Sequence, residues 1–378
     1  MNDKITTVAI EKCEGYNLGK VYDVVKDICA KANMPDVQGK TVLVKPNILS
    51  DVAPELCITT HPEVVRAVVR LLKEKGASRI LVGDSPGVHG QTFCGKNSGI
   101  NAICEEEGAI WCDFTKDPVS KRISGTKATL PVAKAAVEAD LVFSVCKFKT
   151  HTLMYTTGAV KNLFGTVPGF NKGVCHAKYP ARESFAKLIV GLHQTLKPAF
   201  CIMDAIIAME GPGPANGKPR PLNLLLASQS CFATDWAQAV IMGYEDPLCI
   251  PILYEAKRQH LIPESVDYPC LDPKDLVVAD FDRIAPRKQT RFIRSLVIPF
   301  LTSGAQRRKQ KREPAPQFNK DKCIACGKCV SICPAKALRV EQNGKRYVTC
   351  DYGRCIRCYC CHEMCPADAI FVQRKESK

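Results

Sequence analysis

Neither a long apolar run nor an apolar leader is present in the 378-residue sequence. A membrane-spanning helix needs about 18 or more apolar residues, and no uninterrupted stretch approaches that length. The first residues, MNDKITTVAIEKCEG, contain no apolar segment of the kind found in secretory signals. We therefore expect the protein to stay in the cytoplasm.

Common nucleotide-binding and metalloprotease fingerprints are missing as well. There is no Walker A string, no Gly-x-Gly-x-x-Gly after the first predicted strand, and no His-Glu-x-x-His. Nucleotide or nicotinamide binding through a known fingerprint is therefore not supported. Charged residues make up 24% of the chain, an ordinary share for a folded protein, so disorder is not expected. The length allows one large domain with a small one, or two of medium size.

Cysteine, in contrast, is abundant, with 22 residues. In a small secreted chain this number would indicate disulfides, but this chain is neither small nor predicted to be secreted. Most of the cysteines are scattered among apolar neighbours and are interpreted as small core residues in a reducing cell. Such usage suits an anaerobe. Eight others lie in two strings near the end of the chain.

These two strings share the pattern Cys-x-x-Cys-x-x-Cys-x-x-x-Cys-Pro. The eight residues are Cys323, Cys326, Cys329, Cys333, Cys355, Cys358, Cys361 and Cys365. Three thiolates at this spacing can bind one 4Fe-4S cluster, while the fourth, beside proline, reaches the other cluster. The expected ligand sets are Cys323, Cys326 and Cys329 with Cys365, and Cys355, Cys358 and Cys361 with Cys333. Zinc, the competing metal, prefers two separated Cys-x-x-Cys pairs, which this spacing fits poorly.

Residues 316–375 resemble the bacterial-type ferredoxin that carries two 4Fe-4S clusters. The resemblance includes the tails PAKALRV and PADAIFV, which in that family form a short helix and an edge strand. The second string departs from the first, with Tyr359 at the position of Gly327 and an added Cys360. Cys350 and Cys360 lie outside the family pattern and are interpreted as spare thiols, but the ligand register of the second string stays open.

The first 280 or so residues alternate apolar strands with helices. Strands are predicted within 41–47, 79–87, 140–151, 200–206 and 223–230. One helix begins near Thr60 and Glu63, which have capping-box spacing, and can end at Gly76. Further helices are predicted near 97–108, 181–195 and 232–242. This alternation predicts an α/β fold, a mainly parallel sheet with helices on both faces, followed by a small α+β ferredoxin-like module.

Polar residues cluster just after these strands, where ligands bind in open α/β sheets. They are Lys45, Asn47, Asp84, Ser85, Lys147, Lys149, Thr150, His151, Asp204 and Glu210. The string KFKTHTLMYTTGAVKNLFGTVPG (147–169) adds Lys161 and Asn162, and a Gly/Pro loop, EGPGPANG, follows at 210–217. Lysines around one cleft would repel one another without a bound anion, so a carboxylate or phosphate ligand is expected.

Seven of these residues are assigned roles in this hypothesis. Lys161 and His151 are the catalytic candidates, and His151 would move a proton because its ordinary pKa is close to neutrality. Lys147, Lys149 and Asn162 would hold and orient the anion. Asp204 and Glu210 would balance its charge or bind a divalent metal with it. Taken singly, the same residues also fit a solvated strand face, a structural histidine and a helix surface.

Six strings occur in the order VLVKPNIL, THPEVV, GDSPG, KFKTH, TGAVKNLFG and EGPGP. Through them, residues 41–240 are similar to the family catalogued as domain of unknown function 362, whose members are often fused to a ferredoxin module. The resemblance implies a shared α/β domain and a shared site around Lys147, His151, Lys161 and Asn162. It implies no particular reaction.

A basic, proline-marked linker at 285–315 separates an α/β domain at 1–284 from a ferredoxin-type domain at 316–378. Its lysines and arginines supply much of the net charge of +15. We expect this charge to attract an acidic redox protein such as a flavodoxin or another ferredoxin. A solvated linker and an amphipathic segment on a membrane surface are alternatives. Nucleic acid is disfavoured because no nucleic-acid-binding module accompanies the charge.

Two classes of function fit these features. In the first, the chain is an oxidoreductase in which two 4Fe-4S clusters exchange electrons with a small anionic substrate or cofactor in the α/β domain. In the second, it is a non-catalytic electron carrier, or an assembly or delivery scaffold, whose α/β domain binds a partner. A deep pocket lined by Lys147, His151, Lys161 and Asn162 near a cluster would favour the enzyme, and a flat surface the carrier.

Overall fold

The computed structural model describes residues 5–86, 95–286, 308, 311 and 313–373. Most of the predicted basic linker, residues 285–315, lies outside these ranges. The described residues form a large α/β part and a small carboxyl-terminal module. Within these ranges, no helix has the length and apolar character needed to cross a bilayer.

The α/β part contains eleven described strands and nine described α-helices. The strands are β1 Thr6–Lys12, β2 Thr41–Pro46, β3 Arg79–Val82, β4 Ile110–Trp111, β5 Val119–Arg122, β6 Thr129–Val132, β7 Leu141–His151, β8 Tyr155–Thr156, β9 Phe200–Glu210, β10 Lys218–Ser228 and β11 Val266–Asp267. The helices are α1 Leu18–Lys31, α2 Pro62–Glu74, α3 Ile100–Glu107, α4 Lys134–Glu138, α5 Gly158–Asn162, α6 Asn171–Lys178, α7 Arg182–Leu196, α8 Cys231–Ile241 and α9 Pro251–Arg258. Short 3-10 helices span Pro54–Leu56, Leu163–Thr166 and Pro247–Cys249.

Nine of these strands form one mixed sheet, in the order β11-β1-β10-β9-β7-β2-β3-β4 with β8 paired to β7. The neighbours from β9 to β4 are all parallel. In contrast, β10 runs antiparallel to β9 and to β1, because residues 211–217 connect β9 to β10 without a helix. The predicted α/β fold with a mainly parallel sheet is therefore confirmed.

Strand β7 lies inside the sheet and is buried on both faces. Val142, Cys146 and Phe148 belong to the core on one side, which α7, α8 and α9 cover. Phe143 and Val145 belong to the core on the other side, which α1, α2 and α3 cover. Burial on both faces explains why this strand is a continuous apolar run in the sequence rather than an alternating one.

The start of α2 differs from the predicted capping box. The N-cap is His61, whose Nδ1 accepts a hydrogen bond from the N–H of Glu63, and Pro62 follows at the first helical position. Thr60 instead donates to the carbonyl of Val145 at 2.8 Å and accepts from the N–H of Asn47. Thr60 therefore ties the loop after β2 to β7, and this contact fixes Asn47 at the carboxyl edge of the sheet.

The carboxyl-terminal module is built from two small antiparallel strand pairs and two short helices. Its described elements are β12 Pro316–Phe318, α10 Lys328–Ile332, β13 Leu338–Asn343, β14 Lys345–Cys350, α11 Cys360–Glu363 and β15 Ile370–Val372. Strand β12 pairs with β15, and the hairpin β13–β14 separates the two cysteine strings. Each of the two helices follows the second cysteine of its string, so the strings have similar local structure.

The module packs directly on the α/β part. Arg182 of α7 forms an ion pair with Glu313, with 3.0 Å between Nη2 and Oε2. Asn216 in the β9–β10 connection donates to Asp368 Oδ1 at 2.8 Å. Tyr359 is buried in the main hydrophobic core. Together these contacts hold α11 against the carboxyl edge of the sheet.

Candidate functional site

A cavity of about 90 Å³ lies between the carboxyl edge of the sheet and the carboxyl-terminal module. Residues after β2 and β3, on β7, α5 and α6, and around α10 and α11 line it. They are Asn47, Ile48, Leu49, Asp84, Ser85, Pro86, Lys149, Thr157, Lys161, Asn162, Phe164, Gly165, Lys172, Gly173, His176, Pro214, Ile332, Cys360, Glu363 and Met364. The polar residues predicted after β2 and β3 therefore meet residues of the second cysteine string.

One wall of the cavity is a buried ion pair between Lys45 and Asp84, with 2.9 Å between Nζ and Oδ1. Lys45 also contacts Asn162 Oδ1 at 3.2 Å, and the side-chain amide of Asn162 donates back to the Lys45 carbonyl. Gly165 covers the pair so closely that a Cβ there would lie 2.0 Å from Asp84 Oδ1. Asn162 is thus held by the sheet, and Lys45 is neutralised by Asp84.

The predicted pair Lys147 and Lys149 does not act together. An irregularity in the pairing of β7 with β9 lies between the two residues, opposite Asp204 and Met209. Lys147 forms a buried ion pair with Asp204 at 2.8 Å and contacts Tyr16 Oη at 2.9 Å. The predicted role of Lys147 as an anion ligand is corrected, because Asp204 already neutralises it and it does not line the cavity.

Asp204 and Glu210 also lie away from the cavity lining. Besides Lys147, Asp204 accepts hydrogen bonds from Tyr16 Oη at 3.0 Å and from the N–H of His61 at 2.9 Å. Glu210 accepts from the N–H of Asp282 at 3.1 Å. The two carboxylates are committed to different partners, so the predicted divalent-metal role of this pair is corrected. No group of three metal-binding side chains that could hold a single ion is found among the described residues.

The side chains of Lys149 and Lys172 use part of their hydrogen-bonding capacity on backbone carbonyls of the protein. Lys149 donates to the carbonyls of Ile58 at 2.6 Å and Pro214 at 3.3 Å. Lys172 donates to the carbonyls of Ser85 and Val167. Burial is the main cause that lowers the pKa of Lys149 well below its usual value and that of Lys172 to about 7. Each ammonium group keeps one N–H for a ligand.

Helix α5 places Lys161 at the cavity, and Asp235 of α8 fixes that helix. The Asp235 carboxylate accepts hydrogen bonds from the N–H groups of Ala159 and Val160, while its burial raises its pKa to about 7. Gly158, with φ of +66°, allows the close approach, because a Cβ there would lie 2.4 Å from Asp235 Oδ1. The start of this short helix is therefore specified by a buried carboxylate and a glycine.

Lys161 differs from the other three lysines in its partners. Among the residues that the structure describes, no acceptor forms a hydrogen bond or ion pair with its ammonium group. Burial lowers the pKa of Lys161, and the nearby carboxylate of Glu363 opposes this effect. An ammonium group in this position has all its donors available to a bound anion.

His151 is buried behind the cavity wall rather than on it. Its Nδ1 accepts hydrogen bonds from the N–H groups of Leu153 at 3.1 Å and Met154 at 3.3 Å, so the proton of the neutral ring is on Nε2. Nε2 lies 3.3 Å from Glu363 Oε1. Burial holds the pKa of His151 well below its usual value. Glu363 therefore lies between the His151 ring and the cavity.

Several lining residues were not predicted from the sequence. Lys172 and His176 come from α6, which follows no strand directly, and Glu363 comes from the other module. His176 stacks on Phe185, with 4.3 Å between ring centroids, and burial lowers its pKa to about 3. Its neutral ring adds no charge to the cavity. The search for polar residues just after strands could not find these side chains, because they lie on a helix and in the other module.

The cysteines of the two strings surround two further cavities. The first cage is lined by Cys323, Cys326, Cys329 and Cys365. The second cage is lined by Cys333, Cys355, Cys358 and Cys361, together with Cys360. In each cage three thiols come from one string and the fourth from the other, as in a ferredoxin with two clusters. Each of the two ligand sets expected from the spacing therefore lines one cavity.

The backbone near both cages fits thiolate ligands of a cluster. The N–H of Ala337 points at Cys333 Sγ, and the N–H of Ala369 points at Cys365 Sγ, each at 3.3 Å. Such N–H donors stabilise the negative charge of a cluster-bound sulfur. The donor set, four thiols around a cavity with N–H groups aimed at sulfur, fits a 4Fe-4S cluster in each cage.

Cys350 and Cys360, the two additional cysteines, both lie beside the second cage. Cys350 interacts with Cys355 of this cage, and Cys360 with Cys358. Cys360 lines the second cage and also the cavity that contains Lys161. The wall between the second cage and this cavity is therefore one residue thick at Cys360.

Comparison with known protein families gives two matches. Residues 42–240 match the domain of unknown function DUF362, and residues 316–339 match a 4Fe-4S binding domain. Both resemblances inferred from the sequence motifs are confirmed, and the second identifies an iron–sulfur protein of the electron-transfer class.

The chain is also similar to a protein of known sequence and to two solved structures. The chain is 33% identical over 243 residues to the thylakoid-associated protein sll1697 of Synechocystis sp., covering 64% of this chain and 75% of that protein. Among solved structures, the lactate racemase apoprotein from Thermoanaerobacterium thermosaccharolyticum has a TM-score of 0.37 at 13% identity, covering 60% of this chain and 55% of that one. A structural-genomics protein from Thermotoga maritima has a TM-score of 0.36 at 14% identity, covering 55% of each chain. The chain thus spans little more than half of either solved structure.

Proposed function

The chain belongs to the DUF362 family, and we propose that it is a cytoplasmic, ferredoxin-linked oxidoreductase with two 4Fe-4S clusters. In this proposal a small anionic substrate or cofactor binds in the cavity between the α/β part and the carboxyl-terminal module. The 4Fe-4S match covers the first cysteine string alone, and the second cage supports the second cluster.

The observation that carries the proposal is the position of Cys360. It lines both the second cage and the cavity where Lys149, Lys161 and Lys172 meet. A ligand in the cavity would therefore lie one side chain away from the second cluster. A non-catalytic carrier has no need for a lysine-lined cavity at this place, so the arrangement favours the enzyme.

When bound, the clusters supply or accept single electrons. The residues of the chain do the rest. Lys161 and the remaining N–H groups of Lys149 and Lys172 bind the anion, and Asn162 holds the wall behind it. Ile332 and Met364 line the cavity from the side of the module.

A change in the number of electrons on a small anion is usually accompanied by a proton. Lys172 can exchange one, because burial lowers the pKa of its ammonium group to about 7, where an acid and its base are both populated at neutral pH. His151, which the sequence suggested for this role, has its Nδ1 occupied by two N–H donors and does not line the cavity. We therefore assign His151 to the positioning of Glu363.

The first cage is the natural point of entry for electrons. Cys326 is exposed there, and the neighbouring Ile324 is 65% exposed. Exposed lysines surround this face, namely Lys320, Lys322 and Lys328. We propose that an acidic redox protein, such as a flavodoxin or another ferredoxin, docks on it.

The docking proposal is tested by the rate at which an acidic flavodoxin reduces the protein as salt is increased. Replacement of the three lysines by glutamine should slow association and weaken its salt dependence. The matched control replaces three exposed basic residues elsewhere, Arg122, Lys127 and Lys134, and should change little. Salt-sensitive binding to anionic vesicles without faster reduction would favour a membrane surface as the partner instead. The Synechocystis relative is named as a thylakoid-associated protein, which agrees with this alternative.

The oxidoreductase proposal is tested by single-turnover kinetics. Anaerobically reduced protein is mixed with a panel of small anions that carry a reducible keto or enoate group, and the visible absorbance of the clusters is followed. Reoxidation by at least one anion, lost in Lys161→Met, is the expected result. If an external carrier reoxidises the clusters but every anion leaves them reduced, the non-catalytic carrier is the better description.

A further inference from the structure

The charges around the cavity do not balance. Counted over the described residues, four lysines at or behind the wall, two buried and two half-buried, face two carboxylates, Asp84 and Glu363. The lysines are Lys45, Lys149, Lys161 and Lys172. Lys45 and Asp84 cancel, which leaves three cations against Glu363. With every one of these groups ionised, the site has an excess of two positive charges.

Free hydrogen-bonding capacity points to the same place. Lys161 has no acceptor among the described residues, and Lys149 and Lys172 each keep one N–H. Two buried oxygens that line the cavity, Asn47 Oδ1 and Glu363 Oε1, likewise have no hydrogen-bond partner within the part of the chain that the structure describes. Buried polar groups are rarely left unsatisfied, so these atoms are expected to contact a ligand.

We propose that the cavity binds a small dianion, carrying either two carboxylates or one phosphate group, with Lys161 as its main cationic ligand. The inference rests on the proposed function for the location of the site, but it does not depend on turnover. Two negative charges would neutralise the excess of the site, whereas a single carboxylate would leave one buried cation uncompensated. Asn47 adds a polar contact for a hydroxyl group of the ligand or, with its amide turned, for an anionic oxygen.

The size and walls of the cavity restrict the ligand further. Its volume of about 90 Å³ is smaller than the roughly 150 Å³ of an apolar cavity that accommodates benzene. Ile48, Phe164 and Ile332 make one side apolar. The smallest dianions, inorganic phosphate and a short dicarboxylate such as malonate, come nearest to this limit, and a nucleotide exceeds it.

The lysines could instead offset the charge of the neighbouring cluster. A cluster held by four thiolates is itself anionic, and nearby cations lower the free energy of its reduced form. In that case Lys161→Met would shift the reduction potential of one cluster while no dianion bound. The two explanations thus predict different results for the same variant.

The test is isothermal titration calorimetry of the anaerobically prepared holoprotein with malonate, succinate, inorganic phosphate and acetate. We expect one of the dianions to bind at least tenfold more tightly than acetate. Lys161→Met should weaken that binding by about 10- to 100-fold, the usual contribution of a charge-assisted contact. The matched control Lys187→Met, at an exposed lysine of α7, should leave it unchanged. Lys161→Gln, which keeps a polar side chain, serves as a second variant.

Three results would overturn the inference. They are equal affinity for acetate and the dianions, no binding of any probe, and unchanged binding in both Lys161 variants whose iron content equals that of the unmodified protein. If a dianion binds through Lys161 but no anion reoxidises the reduced protein, the inference stands and the oxidoreductase proposal fails.

Discussion

Two lysines at one cavity should respond differently to the same substitution. Lys45 is paired with Asp84 at 2.9 Å and also donates to the carbonyl of Pro46 at 2.6 Å. Lys161 has no acceptor among the described residues. Lys45→Met therefore leaves an uncompensated buried carboxylate, whereas Lys161→Met removes a half-buried charge that has no acceptor among the described residues.

The magnitudes follow from these contacts. Loss of one partner of a buried ion pair costs about 3–5 kcal/mol. The lower end is expected for Lys45→Met, because Asp84 keeps hydrogen bonds from the N–H groups of Ile48 and Ser85. In a domain of this size about 3 kcal/mol corresponds to a fall in Tm of roughly 4–6 °C. Lys161→Met should change the free energy of unfolding by less than about 1 kcal/mol or increase it.

The assay is anaerobic thermal unfolding followed by far-ultraviolet circular dichroism, in the absence of added anions. Iron content is measured on each sample, so that loss of a cluster is not mistaken for loss of packing. If Lys161→Met lowers Tm as much as Lys45→Met, then Lys161 has a structural partner, and its assignment as a free ligand for an anion is wrong.

Two further predictions concern the second cage and the lysines of the cavity. Cys358→Ser should lower the iron content by about half, the share of one cluster of two, while Cys360→Ser should keep the full iron content. Loss of iron from Cys360→Ser, with full iron in Cys358→Ser, would instead make Cys360 the ligand. The affinity for a dicarboxylate such as malonate should be greatest near pH 6 to 7 and fall by up to about tenfold per pH unit above pH 7, because binding favours charged Lys172, whose pKa is about 7 in the free cavity. Lys172 faces Asp84, Lys45, Cys175 and Lys161, and Lys172→Met should flatten this pH profile. Affinity that is constant from pH 6 to pH 9 would contradict it.

The main strands and helices could be predicted from the sequence because their signals are local. The apolar run of β7 and the amphipathic face of α2 each follow from a short stretch of residues. The spacing of the cysteines likewise determines which thiols can reach one cluster. The N-cap of α2 was placed one residue early, at Thr60, because a threonine with a glutamate three positions later is a common pattern and His61 is a rarer cap.

The cavity was predicted in part, and the errors have physical causes. Lys149, Lys161 and Asn162 were expected at the carboxyl edge of the sheet and do line it. Lys147 was expected beside Lys149, but the irregularity in the pairing of β7 with β9 separates the two residues. The local sequence contains no pattern that predicts such an irregularity. Glu363 and Cys360 reach the cavity because one module docks on the other. That contact depends on surfaces far apart in the sequence.

Electron paramagnetic resonance of the reduced holoprotein tests most directly whether the second cluster neighbours the anion cavity. Anaerobically reduced protein is titrated with the dianion that binds most tightly, and the spectra are integrated against iron content. Two clusters per chain are expected, and the signal of one should change as the cavity fills, in the unmodified protein but not in Lys161→Met. A spectrum that stays the same when the dianion is saturating, or iron for a single cluster, would contradict the proposed arrangement.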